Sequence, residues 1–345
     1  MSKATVGVVG MGLYIPDNYW TAEYCASLTE GRWTAESIVD KLGFKRKPVA
    51  RDWEGTQYMG AQAAKDCLKN TGFDPMKIDA IVWVGEEWKE RPLTTSALYV
   101  QREIEAWNAW GVDISNRCCT FITGIKMAKD MILADEEIET VLLCGGYRNN
   151  DFMQMTNPRI SMLYSIGSGA AAMLLKRDHF ENEVLGTHFV CDGSLFHTMS
   201  VPIGGTETPI TAENLHCWMN YDIEDSDFMK SRLNEVSMPN WFTCVDRSLA
   251  KSGGLTRKDV GYLAVTQFKR SMHEYMLSEY GLKEENSTYL DNYGHVGQMD
   301  QVLSMTLGLQ AGKIKDGTVI SLVGAGGGYI WAAGAIRWGK INKED

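Results

Sequence analysis

The stretch Gly111-Val-Asp-Ile-Ser-Asn-Arg-Cys-Cys-Thr-Phe-Ile-Thr-Gly-Ile-Lys-Met-Ala128 carries the reading of the fold. Its apolar start, Gly111 to Ile114, predicts a strand, and the polar residues after it predict a turn. Phe121, Ile122, Ile125, Met127, Met131 and Ile132 then recur at three-to-four spacing, the pattern of a helix with one buried face. Cys118 and Cys119 stand between turn and helix. A thiol at a helix N-terminus meets unpaired backbone N–H groups and the positive end of the helix dipole, and both favour the thiolate. The residues alone leave two readings: a nucleophile, or a pair of small buried apolar side chains.

Working outward, the same alternation recurs. Val6–Val9, Asp79–Val84, Thr140–Cys144, Val260–Val265, Thr318–Val323 and Ile330–Trp338 are short apolar runs bounded by turn residues, each a predicted strand. Helices are predicted over Thr34–Leu42, Thr56–Asn70, Thr94–Ile104, Phe228–Lys251 with a break near Met238-Pro239, Lys269–Tyr280, and from the turn Asp291–Gln298 on to Gln310. The small residues of Ser165–Leu175 precede a further strand, and Phe189–Pro209 reads as loop. Strands apolar throughout, alternating with helices, predict an α/β fold whose sheet is covered on both faces. The polar stretch Arg177–Glu183 suggests a division into halves of 1–176 and 177–345. The order of elements in the second loosely echoes the first, without repetition of residues.

The chain has 345 residues, 44% hydrophobic, enough for a large core. A formal charge of −10 argues against a nucleic-acid partner, which needs a basic face. No apolar run is long enough to span a membrane, and no secretory signal precedes the first strand. The eight cysteines form no C-x-x-C pair, so no metal or redox motif is signalled; free thiols fit a reducing cytoplasm.

Four stretches together resemble the β-ketoacyl-ACP synthase III family of the thiolase-like superfamily. Asp113-Ile-Ser-Asn-Arg-Cys-Cys-Thr-Phe121 is similar to its D-x-x-x-x-C-x-G-F, with Cys118 in register. Cys191-Asp-Gly-Ser194 is similar to its D-G-S, and Ser165–Leu175 to its G-D-G-A-G-A-A. Gly324-Ala-Gly-Gly-Gly-Tyr-Ile-Trp-Ala-Ala-Gly-Ala-Ile-Arg-Trp338 is close to its C-terminal G-x-G-G-G-x-x-W-G-x-x-x-x-R-[FW]. The resemblance implies a thiolase-like fold of two similar halves in five αβαβα layers, and a homodimer. It also implies a Cys118 acyl-thioester formed from an acyl-CoA or acyl carrier protein thioester, with no bound cofactor. An oxyanion hole is expected from the backbone N–H groups of Cys118 and Gly327.

The resemblance breaks at two catalytic positions. Thr266 stands where the family has a histidine, and His295 where it has an asparagine. A threonine hydroxyl is no base near neutral pH, so decarboxylative elongation by the family's usual route is not expected. His295 is expected either to pair with Cys118 or to be an ordinary turn histidine. Hydroxymethylglutaryl-CoA synthases, relatives in the same superfamily, carry a general-acid glutamate in a position that falls on Glu87. The other reading of that residue is a solvated Glu86-Glu87 pair at a strand end. Arg117 is expected to favour the neighbouring thiolate or to form a salt bridge elsewhere. Lys45 and Arg46, with Trp33, are expected at the phosphates and adenine of CoA. The leading expectation is an acyltransferase to an acceptor other than malonyl-ACP. The alternatives are a catalytically degenerate subunit of a thiolase-like complex, and a thioesterase or C–C hydrolase using His295.

Overall fold

A computed structural model describes residues 4–340. Nine strands form one hydrogen-bonded sheet in the order Val260–Val265, Val319–Gly326, Ile330–Lys340, Glu181–Cys191, Val6–Tyr14, Gly169–Arg177, Thr140–Tyr147, Ala80–Trp83, Trp110–Asp113. The centre of this order is thin. Val6–Tyr14 meets Glu181–Cys191 through the single pair Gly7 and Glu183. Outward from that seam both sides follow one pattern. Val6–Tyr14 pairs antiparallel with Gly169–Arg177, which pairs antiparallel with Thr140–Tyr147, which pairs parallel with Ala80–Trp83. On the other side Glu181–Cys191, Ile330–Lys340, Val319–Gly326 and Val260–Val265 repeat antiparallel, antiparallel, parallel. The first side ends in the parallel strand Trp110–Asp113; the second has in that place the single parallel bridge of Leu263 with Ser287.

The strand sequences are apolar throughout because both faces are buried, and the period of two divides each strand between two cores. Ile81, Trp83, Leu142 and Cys144 face outward onto the helices Thr56–Thr71 and Ser96–Ile104. Val82, Val84, Val141 and Leu143 face inward, where they share a core with Ala264, Ile320, Leu322 and Ala332 of the second side. Between the two lie the helices Thr120–Ala134 and Asp300–Gln310, with Phe121, Ile122, Ile125, Val302 and Leu303 in that shared core. Beyond the second side, Leu263, Val265, Val319 and Val323 pack with Cys244, Val245, Leu249, Met276 and Leu277 of Ser226–Ala250 and Arg270–Tyr280. The layers are therefore helix, sheet, helix, sheet, helix, as the motifs imply for a thiolase-like fold.

Two local expectations need correction. The helix Ser226–Ala250 runs unbroken through Pro239. Pro239 and Glu235 are both exposed, so the Glu235 carbonyl that loses its N–H partner faces water. Residues 181–191, read as a polar boundary and the start of a loop, form an eleven-residue strand. It lies at the seam and is mostly half-buried, so it lacks the apolar run that marks the other strands.

Backbones approach closely where glycines stand. A Cβ on Gly12 would lie 2.2 Å from the Cys67 nitrogen and 2.3 Å from the Ala63 oxygen, so the strand Val6–Tyr14 touches the helix Thr56–Thr71 main chain to main chain. Gly12→Ala has no flexible side chain to displace, and it is expected to cost about 2 kcal/mol or more in chemical denaturation.

Candidate active site

Cys118 and His295 occupy matching places in the two halves of the pattern. Arg117–Cys119 forms a single 3₁₀ turn entering the middle-layer helix Thr120–Ala134. Gly297–Met299 forms the corresponding turn entering Asp300–Gln310. Because these helices are neighbours in the shared core, the two entry turns come together.

The Cys118 Sγ lies 3.2 Å from His295 Nε2, and His295 Nδ1 donates to Asp300 Oδ2 at 2.6 Å. Asp300 is fully buried. Its Oδ2 also accepts from the backbone N–H of Gln267, and its Oδ1 from that of Val296, each at 2.8 Å. The backbone of His295 is held as firmly: its N–H donates to Ser165 O, and its carbonyl accepts from the Gly167 N–H. A cysteine, a histidine and a buried aspartate thus stand in line. Burial opposes charge on His295, but Asp300 and Cys118 outweigh it, and the imidazole is held well above the usual histidine range. The protonated imidazolium is therefore favoured by its surroundings.

Arg117 precedes the nucleophile with φ of 50°, in the left-handed region that costs a non-glycine residue about 1–2 kcal/mol. Its guanidinium reaches Glu87 at 3.3 Å and Glu86 at 3.7 Å. Of these two carboxylates it is Glu86, 6% exposed, that is buried, while the Glu87 side chain is 66% exposed. Burial pushes the Glu86 carboxyl up, against the pull of Arg117. The Glu86 N–H donates to Gly146 O, continuing the pairing at the strand end, and it is this glutamate rather than Glu87 whose side chain is buried.

Cys118, His295, Glu86, Glu87, Gly327 and Gly328 line one cavity of about 980 Å³. Gly326 is required beside it, since a Cβ there would lie 2.9 Å from the Cys118 nitrogen. The glycine turn and the nucleophile's backbone therefore face the same space. Thr266 does not line it. Its hydroxyl accepts from Gln301 Nε2 at 2.9 Å, behind the site, and its N–H is taken by Val323 O. Lys45, Arg46 and Trp33 do not line it either. Lys45 pairs with Asp291 at 2.8 Å, Arg46 stacks on Tyr19, and Trp33 packs on Tyr164. Lys45 and Arg46 are exposed outside the cavity, each already engaged by a neighbouring side chain.

Asp300 was not anticipated. An acidic residue at the start of a helix is common in sequences, where it complements the dipole, and only the fold shows that this one faces His295.

Comparison with known proteins agrees with this geometry. Residues 112–193 match the family model 3-oxoacyl-[acyl-carrier-protein (ACP)] synthase III, and residues 249–338 the model of its C-terminal part. The chain is a 3-oxoacyl-ACP synthase III-like protein. Beta-ketoacyl-[acyl-carrier-protein] synthase III 1 of Bacillus cereus is 27% identical over 97% of this chain and 99% of its own length. The synthase III of Geobacillus kaustophilus is 28% identical over 97% and 99%. Among solved structures, 3-oxoacyl-(acyl carrier protein) synthase III of Pseudomonas aeruginosa superposes with a TM-score of 0.83 at 21% identity, covering 98% of this chain and 99% of that one. A variant of Xanthomonas campestris OleA with bound lauric acid and lauroyl-CoA superposes at 0.79 and 16% identity, covering 97% and 99%. These likenesses show the thiolase-like fold of the synthase III-like chain.

Because the folded pKa of His295 lies above its ordinary 6.5, its pairing contributes fully below that pH and is lost as pH rises through the raised value. In Cys118→Ala one of the two partners is gone. The His295 pKa, followed by NMR titration of its ring, is expected to fall; an unchanged value would show that Asp300 alone sets it.

Proposed function

We propose that this protein is an acyltransferase in which Cys118 takes an acyl group from an acyl-CoA or acyl carrier protein thioester and passes it to an oxygen or nitrogen nucleophile. One observation carries the reading: the line from Cys118 Sγ through His295 to Asp300, at 3.2 and 2.6 Å. Residues 1–176 are read as the half supplying the nucleophile, and 177–345 as the half supplying the base and the glycine turn.

The chemistry follows from the contacts. The Cys118 thiolate adds to the thioester carbonyl, whose oxygen meets the backbone N–H groups of Cys118 and Gly327. The departing thiolate takes the proton of the His295 imidazolium, leaving an acyl-enzyme and a neutral imidazole. The acceptor then gives its proton to Nε2 as it attacks, and the Cys118–His295 pair is restored. Asp300 holds Nδ1–H throughout, so Nε2 is the nitrogen that exchanges protons. Decarboxylative condensation asks instead for two donors on an enolate oxygen. Thr266 does not line the cavity, which leaves His295 Nε2 as a single donor there, so an acceptor with its own removable proton suits this site better. An intact triad in an open cavity also favours a catalytic chain over a degenerate subunit.

Intact-protein mass spectrometry after exposure to short acyl-CoAs is expected to show one acyl adduct, absent in Cys118→Ala. Asp300→Asn is expected to slow discharge of that adduct by about 10²–10⁴-fold, as loss of an oriented base does. Rapid release of free acid without any acceptor would favour hydrolysis instead.

We further propose a homodimer formed across the strand Trp110–Asp113. It is an edge strand, paired only with Ala80–Trp83 among the described residues, and Trp110, Trp107 and Leu98 are exposed beside it. Trp110→Glu is expected to shift the sedimentation of the protein from dimer toward monomer. The eight free cysteines fit a reducing, cytoplasmic setting.

A further inference from the structure

The cavity is not uniform. At one end stand Cys118, His295 and the glycine turn. The remainder is walled by aromatic rings: Trp88 packs against Phe152 with centroids 5.1 Å apart, and Phe152 against Tyr221 at 5.6 Å. Its charged lining, apart from histidine, is Glu86, Glu87, Glu207 and Glu224 against the single guanidinium of Arg117. Arg117 reaches Glu87 at 3.3 Å and Glu86 at 3.7 Å, so one guanidinium is shared between two carboxyl groups and the lining keeps an excess of acid.

A second observation is independent of the acidic residues. Asn149 lines the same cavity, is 5% exposed, and spends its Nδ2 on the Tyr221 hydroxyl at 3.2 Å. Its Oδ1 has no hydrogen-bond partner among the described residues. A buried acceptor without a donor is costly, about 1–3 kcal/mol, unless something in the cavity supplies one. Glu86 and Asn149 therefore offer acceptors, and the ring faces of Trp88, Phe152 and Tyr221 favour a cation. Coenzyme phosphates suit none of these groups, so this region serves the second substrate rather than the anionic end of the donor.

We propose that the acceptor is a small amine-bearing molecule such as an amino sugar, whose ammonium sits against Glu86 and Asn149 while a hydroxyl or second amine reaches Cys118. This rests on the acyltransferase reading for the reaction, but not for the binding. An ammonium brings only donors and a positive charge, which suit the acidic lining and the free Asn149 oxygen; a neutral sugar brings as many acceptors as donors and no charge. In the transfer itself, the acyl carbon–sulfur bond to Cys118 breaks as the acyl–oxygen or acyl–nitrogen bond forms, and the acceptor's proton passes through His295 to the departing thiolate. No electrons are exchanged with any other reagent.

The test separates binding from chemistry. Cys118→Ala protein is titrated calorimetrically with D-glucosamine and with D-glucose, a pair differing in one amino group. Glucosamine is expected to bind at least about tenfold more tightly, or about 1.4 kcal/mol, and Glu86→Gln in the same background is expected to abolish the difference. The ratio is the readout, because a folding defect weakens both ligands alike. Equal binding of the two sugars, or a preference that survives Glu86→Gln, overturns the proposal. In parallel, wild-type protein is acylated with a short acyl-CoA and discharge is followed by mass. Absence of a Cys118 adduct despite selective glucosamine binding would sink the acyltransferase reading and leave the amine site standing. An adduct discharged by both sugars at equal KM would sink the amine site alone.

Discussion

The hydrogen bond from His295 Nδ1 to the buried carboxylate of Asp300 is the constraint on which the site depends. Asp300 has no water around it, so its charge is held by three donors: the His295 ring, and the backbone N–H groups of Gln267 and Val296. A buried polar group so held has its hydrogen-bonding needs met inside the protein. It fixes which imidazole nitrogen carries a proton toward it and leaves Nε2 aimed at Cys118. Gln267 brings in the end of the strand Val260–Val265, and Val296 the turn before the helix, so one side chain ties a sheet edge, a turn and a catalytic ring together.

The fold makes that arrangement possible by repetition. Each half sends one helix into the shared middle layer, and each helix begins with a tight turn. In one half that turn carries a thiol; in the other an imidazole stands just before the turn and its aspartate just after. Neither half holds a complete site. The meeting is enforced by the inward-facing Val, Leu, Ile and Ala of both sets of strands, which bury their surfaces only when the two helices lie side by side. The seam between the halves has little backbone pairing of its own, and it is this apolar layer that holds them in place.

Two residues shape what the site can do. Thr266 is a short side chain that Gln301 retains behind the cavity. His295 has Asp300 as its partner. The outcome is a site suited to moving a proton between an acceptor and a sulfur, with aromatic rings and buried acceptors occupying the space beside it.

Much of the fold could be read from the residues. Strand after strand announced itself as an apolar run, and the register of Cys118 over Cys119 followed from the stretch Asp113–Phe121. The strand at 181–191 escaped because it is half-buried at the seam, and Pro239 misled because its exposed neighbour carbonyl is solvated rather than strained. Cys118, His295 and Gly327 were nameable in advance from their places in stretches that resemble the synthase III motifs. Asp300, Asn149 and the inward turn of Glu86 left none. Local sequence determines which elements form and which side chains their ends present, since those depend on periodicity and turn chemistry within a few residues. Only the tertiary structure decides which of two adjacent glutamates is desolvated, or that an aspartate five residues after a histidine is its partner. Burial and the facing of side chains depend on segments the fold brings together, as with Cys118 and His295, 177 residues apart.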